Sequence, residues 1–172
     1  VAAGVAGLAA GTGIIALLTF TAMAVTIDIR SSTATHGRIA NRLDIAFVGA
    51  ALIGALVGFL WFNAFPAEVI MGDTGAMAIG GALAALAIFT QTTFLLLFIG
   101  WIFLIEALSL IVQVISFKYY GRRVFLMAPI HHHFEMKAWS ETKIMVRFWI
   151  VTAILCAIGF ALFYRDFTFF RR

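Results

Sequence analysis

The sequence predicts an all-α, polytopic bundle of membrane-spanning helices. Five long apolar stretches, a composition of 63% apolar against 12% charged residues over 172 positions, and charges gathered between those stretches all point that way. Soluble chains carry about half apolar and about a quarter charged residues, so a mean hydropathy of +1.06 describes a chain that would aggregate in water. Each stretch approaches or exceeds the roughly 20 residues that cross about 30 Å of hydrocarbon as helix. Lipid offers backbone N–H and C=O groups no partner, which leaves helices as the spanning element of such a chain.

The first span covers 8–27 and is entered through the small-residue string 2–7. A polar loop runs from Asp28 to Arg42, and the second span, 43–62, ends among Trp61, Phe62 and Phe65, which suit a membrane interface. The loop 63–74 contains Pro66, Glu68 and Met71-Gly72-Asp73. The third span, 75–90, is short and rich in Ala and Gly, a composition that lets helices approach closely inside a bundle. Gln91, Thr92 and Thr93 turn the chain into the fourth span, 94–117, where Glu106, Ser109, Gln113 and Ser116 fall at offsets of three, seven and ten, close to one helical face. That face must turn from lipid, either as a hydrogen-bonded contact between helices or as the lining of a ligand groove. A polar loop, 118–143, holds Pro129 and the run His131 to Glu135, and the fifth span, 144–163, closes a single transmembrane domain over 1–172.

A net charge of +4 and a pI near 9.7 do not indicate nucleic-acid binding, because the bases sit at span ends, where lipid headgroups or phosphorylated ligands meet them. The one cysteine, Cys156, lies in an apolar run and supports neither a disulfide framework nor a cysteine metal site. No methionine opens the sequence and no basic stretch precedes the first span, so a signal peptide is not expected and the chain reads as truncated at its start. Alternating the loops across the membrane places six Lys and Arg on each side, and the positive-inside rule decides nothing. Parity is more informative. The loops 63–74 and 118–143 are separated by two spans and emerge on the same face, together with the opening string.

Asp73 opens a Gly-rich helix start, where its carboxylate either caps free N–H groups or serves as a hard ligand for Mg2+, which takes one or two carboxylates beside water and phosphate. The consecutive His131, His132 and His133 cannot all converge on one point, since helical neighbours lie about 100° apart. A zinc site would need further ligands at separated positions, which the chain does not supply. With Lys118, Arg122, Arg123, Lys137 and Arg147 on the same face, a phosphate-binding patch is the simpler chemistry, beside the alternative of a polar loop without ligand.

The string from Met127 to Glu135, followed by Val146 to Ile150, strongly resembles the late cytoplasmic loop and last helix of the phospho-N-acetylmuramoyl-pentapeptide transferase family. Upstream, Gly58 to Asn63, Phe65-Pro66-Ala67 and Met71 to Gly75 resemble the family's preceding cytoplasmic loop. The resemblance spans essentially the whole chain and implies the C-terminal half of an enzyme of the bacterial inner membrane, with these loops cytoplasmic. It implies transfer of phospho-N-acetylmuramoyl-pentapeptide from its UDP carrier to undecaprenyl phosphate, giving lipid I and UMP. By motif, Asp73 would be catalytic and a Mg2+ ligand, His131, His132 and His133 would line the phosphate or nucleotide site, and Asn63, Ile70, Lys137 and Arg147 would contact substrate. A missing N-terminal half, membrane lipid and a homodimer are the implied partners.

Departures accompany the matches. Ala3 and Ala6 occupy positions where the family has aspartates, Ile70 stands where an aromatic often stacks on uracil, and Glu68 and Ala76 replace the usual Gln and Ser. The family's adjacent aspartate pair would belong to the missing half, so this chain alone is expected to be inactive. Two other readings stay open: a catalytically silent membrane fragment or decayed homologue, and a transporter or channel using Glu106 and Gln113 as a polar path.

Overall fold

The structure, a computed structural model, describes residues 7–34 and 41–169. Among them are helices and turns and no strand, in the order α1 (Leu8–Ala34), α2 (Asn41–Asn63), α3 (Asp73–Phe89), α4 (Leu96–Ile99), α5 (Trp101–Tyr120), α6 (Ile130–Glu135) and α7 (Glu141–Phe169). The fold class is thus all-α, as the apolar stretches require. Ala3 and Ala6 lie outside the described residues.

Helix α1 is the hub. Of its most apolar stretch 61% is buried, against 11% for α2, 17% for α5 and 22% for α7. Leu8, Leu17, Phe20 and Met23 are all but inaccessible, and they pack in one core with Ile79, Leu83 and Leu86 of α3 and Ile144 and Phe148 of α7. Lipid tails are as apolar as leucine, so this association rests on close van der Waals fit rather than on withdrawal from water. Glycines provide the fit. A side chain at Gly11 would collide with the Trp149 indole of α7, and one at Gly49 of α2 would collide with Thr21.

Four helices among the described residues, α1, α2, α5 and α7, are long and apolar enough to cross a membrane. The fifth expected span appears as α3, an apolar helix of 17 residues. At 1.5 Å per residue it is about 25 Å long, short of a full hydrocarbon thickness. Its buried residues are Ile79, Leu83, Leu86 and Ala87, whereas a side chain added at Gly80 or Gly81 would meet no neighbour within 4 Å. The branched apolar side chains, not the glycines, therefore form its contact face.

The expected fourth span is not one helix. A 3-10 turn at Thr93–Leu95 leads into α4, and the chain breaks at Gly100 before α5 begins. A side chain at Gly100 would stand 2.8 Å from the Leu96 carbonyl oxygen, so the break needs glycine. Ile99, fully buried on α4, packs beside Gly159 of α7, and this anchors the upstream piece. Helix α5 then runs on to Tyr120, where Gly121 adopts a left-handed conformation (φ 64°) and donates its N–H to the Phe117 carbonyl at 3.1 Å.

Candidate functional site

The polar face of α5 does not line a groove; it holds a returning chain. Glu106 lies fourteen residues before Tyr120, about 21 Å along the helix, and the segment after Gly121 folds back over that distance. Ser116 Oγ donates to the Arg122 carbonyl at 2.9 Å. Gln113 Oε1 accepts the N–H groups of Val124 at 3.1 Å and Phe125 at 2.9 Å, while its Nε2 donates to the Phe125 carbonyl at 3.1 Å. Ser109 Oγ donates to the Glu106 carbonyl and accepts the Ile130 N–H at 3.1 Å. Irregular backbone alongside a lipid-facing helix needs such partners, and these side chains supply them.

At the end of this rail sits α6, which starts after Pro129 and carries the three histidines. His131 is wholly buried, and its Nδ1 lies 2.9 Å from Oε2 of Glu106, itself 1% exposed. Glu106 Oε1 and His131 Nε2 are buried without a partner among the described residues. His132 and Glu135 pair one turn apart, Nδ1 to Oε2 at 2.6 Å, with side chains 27% and 29% exposed. His133 Nδ1 accepts the Leu126 N–H at 3.2 Å. The triplet thus divides into one buried strut and two partly exposed rings.

Trp139 extends the cluster. Phe134 stacks on it with centroids 4.8 Å apart, and the Arg147 guanidinium and Lys143 ammonium lie 4.2 Å and 5.1 Å from its ring centroid. Two cations near one aromatic ring are held by its quadrupole. They stand at the start of α7 beside α6.

The segment carrying Asp73 reaches the same end of the bundle. Asn63, 3% exposed, accepts the Gly7 N–H at 2.9 Å and donates to the Val69 carbonyl at 2.8 Å. Its amide is occupied at both ends, so it ties the start of α1 to the loop after α2 instead of presenting free groups. Phe65 from that loop lines an open hollow of about 440 Å³ with Glu135, Trp139, Ser140, Glu141 and Thr142. Asp73, at the first turn of α3 behind Gly72, is exposed, and its side chain makes no hydrogen bond or ion pair among the described residues. Ile70 is 73% exposed. Lys137 is exposed in the turn after α6.

The sequence points to the histidines, Asp73, Asn63, Ile70, Lys137 and Arg147 as site residues, and not to Glu135, Trp139 or Lys143. Glu135 was visible at the i, i+3 spacing from His132, a pair that meets on one helix face. Trp139 and Lys143 gave no local signal, because their contact joins a turn to the next helix. No group of three or more His, Cys, Asp or Glu side chains among the described residues is arranged to hold a metal. Asp73 offers a free carboxylate, which fits a share in a Mg2+ site, since that ion takes one or two carboxylates and completes its shell with water and phosphate.

Fold and site together define a multi-pass helical membrane protein with a basic, histidine-bearing loop docked at one end of its bundle. The family model for glycosyl transferase family 4 matches residues 1–91, and the chain belongs to that family. It is 52% identical over 161 residues to the phospho-N-acetylmuramoyl-pentapeptide-transferase of Rubrobacter xylanophilus, covering 94% of this chain and 45% of the relative. It is 45% identical over 165 residues to the enzyme of that name from Corynebacterium jeikeium, covering 96% and 44%. To that of Clavibacter michiganensis it is 46% identical over 175 residues, covering 96% and 47%. The chain spans a little under half the length of these relatives.

Proposed function

We propose that this chain supplies the histidine-bearing half of a Mg2+-dependent transferase that moves phospho-N-acetylmuramoyl-pentapeptide from UDP to undecaprenyl phosphate, yielding lipid I and UMP. The observation that carries this reading is the fixed placement of α6 at the bundle end where Phe65, from the segment leading to Asp73, lines one hollow with Glu135 and Trp139. A phosphate acceptor already bears a nucleophilic oxygen, so the protein's task is to align two phosphates and offset their charge. His132, His133, Lys137, Lys143 and Arg147 offer donors or positive charge to phosphate oxygens. Asp73 would hold the Mg2+, which when bound clamps the pyrophosphate. Asn63 fixes the loop between α2 and Asp73, Ile70 gives a nucleobase an apolar surface, and His131 acts through the placement of α6.

In this reading the loops face the cytoplasm of a bacterial inner membrane, and the remaining half of the protein supplies the other acidic ligands and, in a homodimer, the subunit contact. Family membership and the named relatives support it; no feature among the described residues favours a channel, since the polar face of α5 is taken up by the loop it holds. The test is release of UMP from UDP-N-acetylmuramoyl-pentapeptide by the full-length protein with Mg2+ and undecaprenyl phosphate. Turnover abolished by Asp73→Ala supports the proposal, and absence of turnover in the unaltered protein refutes it.

A further inference from the structure

The three histidines are adjacent in sequence yet hydrogen-bonded in two different ways at Nδ1. At His131 and His132 the partner is a carboxylate oxygen, of Glu106 and Glu135 respectively. The Glu135 carboxylate, partly exposed, only accepts, so Nδ1 of His132 carries the proton and a neutral ring keeps its lone pair on Nε2. At His133 the partner is the Leu126 backbone N–H, which only donates. Its Nδ1 is therefore bare, the ring is neutral, and the proton sits on Nε2. His131 is wholly buried, so its Nε2 is closed to a ligand, whereas His132 and His133 are partly exposed.

We propose that Glu135 is a positioning residue that sets the tautomer of His132, so that α6 presents a hydrogen-bond acceptor at His132 Nε2 beside a hydrogen-bond donor at His133 Nε2. This pairing rests on the function proposed above and specifies how that site reads its substrate. The His133 donor suits a phosphate oxygen. The His132 acceptor suits a group that brings its own proton, such as a ribose hydroxyl or the imide N–H of a pyrimidine. A nucleoside diphosphate carries both kinds of group, whereas inorganic phosphate above its second pKa is chiefly an acceptor. Glu135 thus shapes selection for the nucleotide without touching it. Phe125 and Phe134 meet the His133 ring edge-on, with centroids 5.9 Å and 5.7 Å away, and hold its orientation.

The experiment uses the full-length protein in lipid bilayers with 15N-labelled histidine, read by solid-state NMR and assigned with His132→Asn and His133→Asn difference spectra. Without ligand, His132 should show a bare Nε2 and His133 a protonated Nε2. In Glu135→Ala, which removes the acceptor at Nδ1, His132 should shift toward the opposite tautomer while His133 stays unchanged. UMP release should fall by about 10–100-fold, the usual loss when the orienting partner of a functional histidine is removed. UMP added to the unaltered protein should perturb both rings, and inorganic phosphate His133 alone. A protonated Nε2 on His132 in the unaltered protein, a tautomer indifferent to Glu135→Ala, or equal perturbation by UMP and phosphate would each overturn the proposal. If the unaltered protein released no UMP, the transferase reading would fail, while the ligand-free spectrum would still decide the tautomers.

Discussion

The two loops at the α6 end of the bundle are built by opposite means. The chain from Gly121 to His131 is fastened along its length by Ser116, Gln113, Ser109 and Glu106, four side chains of one membrane helix. The segment after α2 is held by the backbone bonds of Glu68 and Val69 to the Phe62 carbonyl and by one side chain, Asn63. It leaves Ile70 and Asp73 exposed. Where a loop returns beside a lipid-facing helix, each backbone polar group needs a protein partner. Where it sits at the water interface, solvent serves, and side chains stay free to meet a ligand.

That contrast separates effects on chemistry from effects on folding. Asp73→Ala should lower UMP release by more than about 100-fold, beyond the 10–100-fold cost of losing an outer-shell partner. It should leave thermal unfolding unchanged, because the carboxylate has no protein partner to lose. Glu106→Ala should do the reverse in kind, destabilising the fold by about 1–3 kcal/mol as the buried His131 Nδ1 loses its hydrogen-bond partner. Glu106→Gln keeps an acceptor for Nδ1–H and should cost less, which unfolding in mixed detergent micelles can measure. Asn63→Ala strips partners from the Gly7 N–H and the Val69 carbonyl and should cost about 1–3 kcal/mol, with faster proteolysis after α2. Gln113→Ala should be mildest, about 1–2 kcal/mol, with faster cleavage confined to the segment 121–130.

Much of this was legible in the sequence, and the reasons are local. Apolar length announced the long helices, and the spacing of Glu106, Ser109, Gln113 and Ser116 announced a shared face that must avoid lipid. What that face holds was not legible, since Glu106 and His131 are 25 positions apart and nothing between them reports a fold-back. The break at Gly100 was hidden because apolar residues continue on both sides of it, so composition reads straight through a backbone kink. Asn63 reads as a substrate contact only through the family motif; the approach of Gly7 reveals its use as a tie.

The proposed transferase needs one site served by both loops, with the Asp73 carboxylate and the α6 imidazoles acting on the same phosphates. Paramagnetic broadening of the histidine 15N signals by Mn2+, added in place of Mg2+ with UMP to the full-length protein in bilayers, tests it directly. Strong broadening of His132 and His133 that disappears in Asp73→Ala is the predicted result. Histidine signals that stay sharp while Mn2+ binds, or broadening that persists without the Asp73 carboxylate, would contradict it.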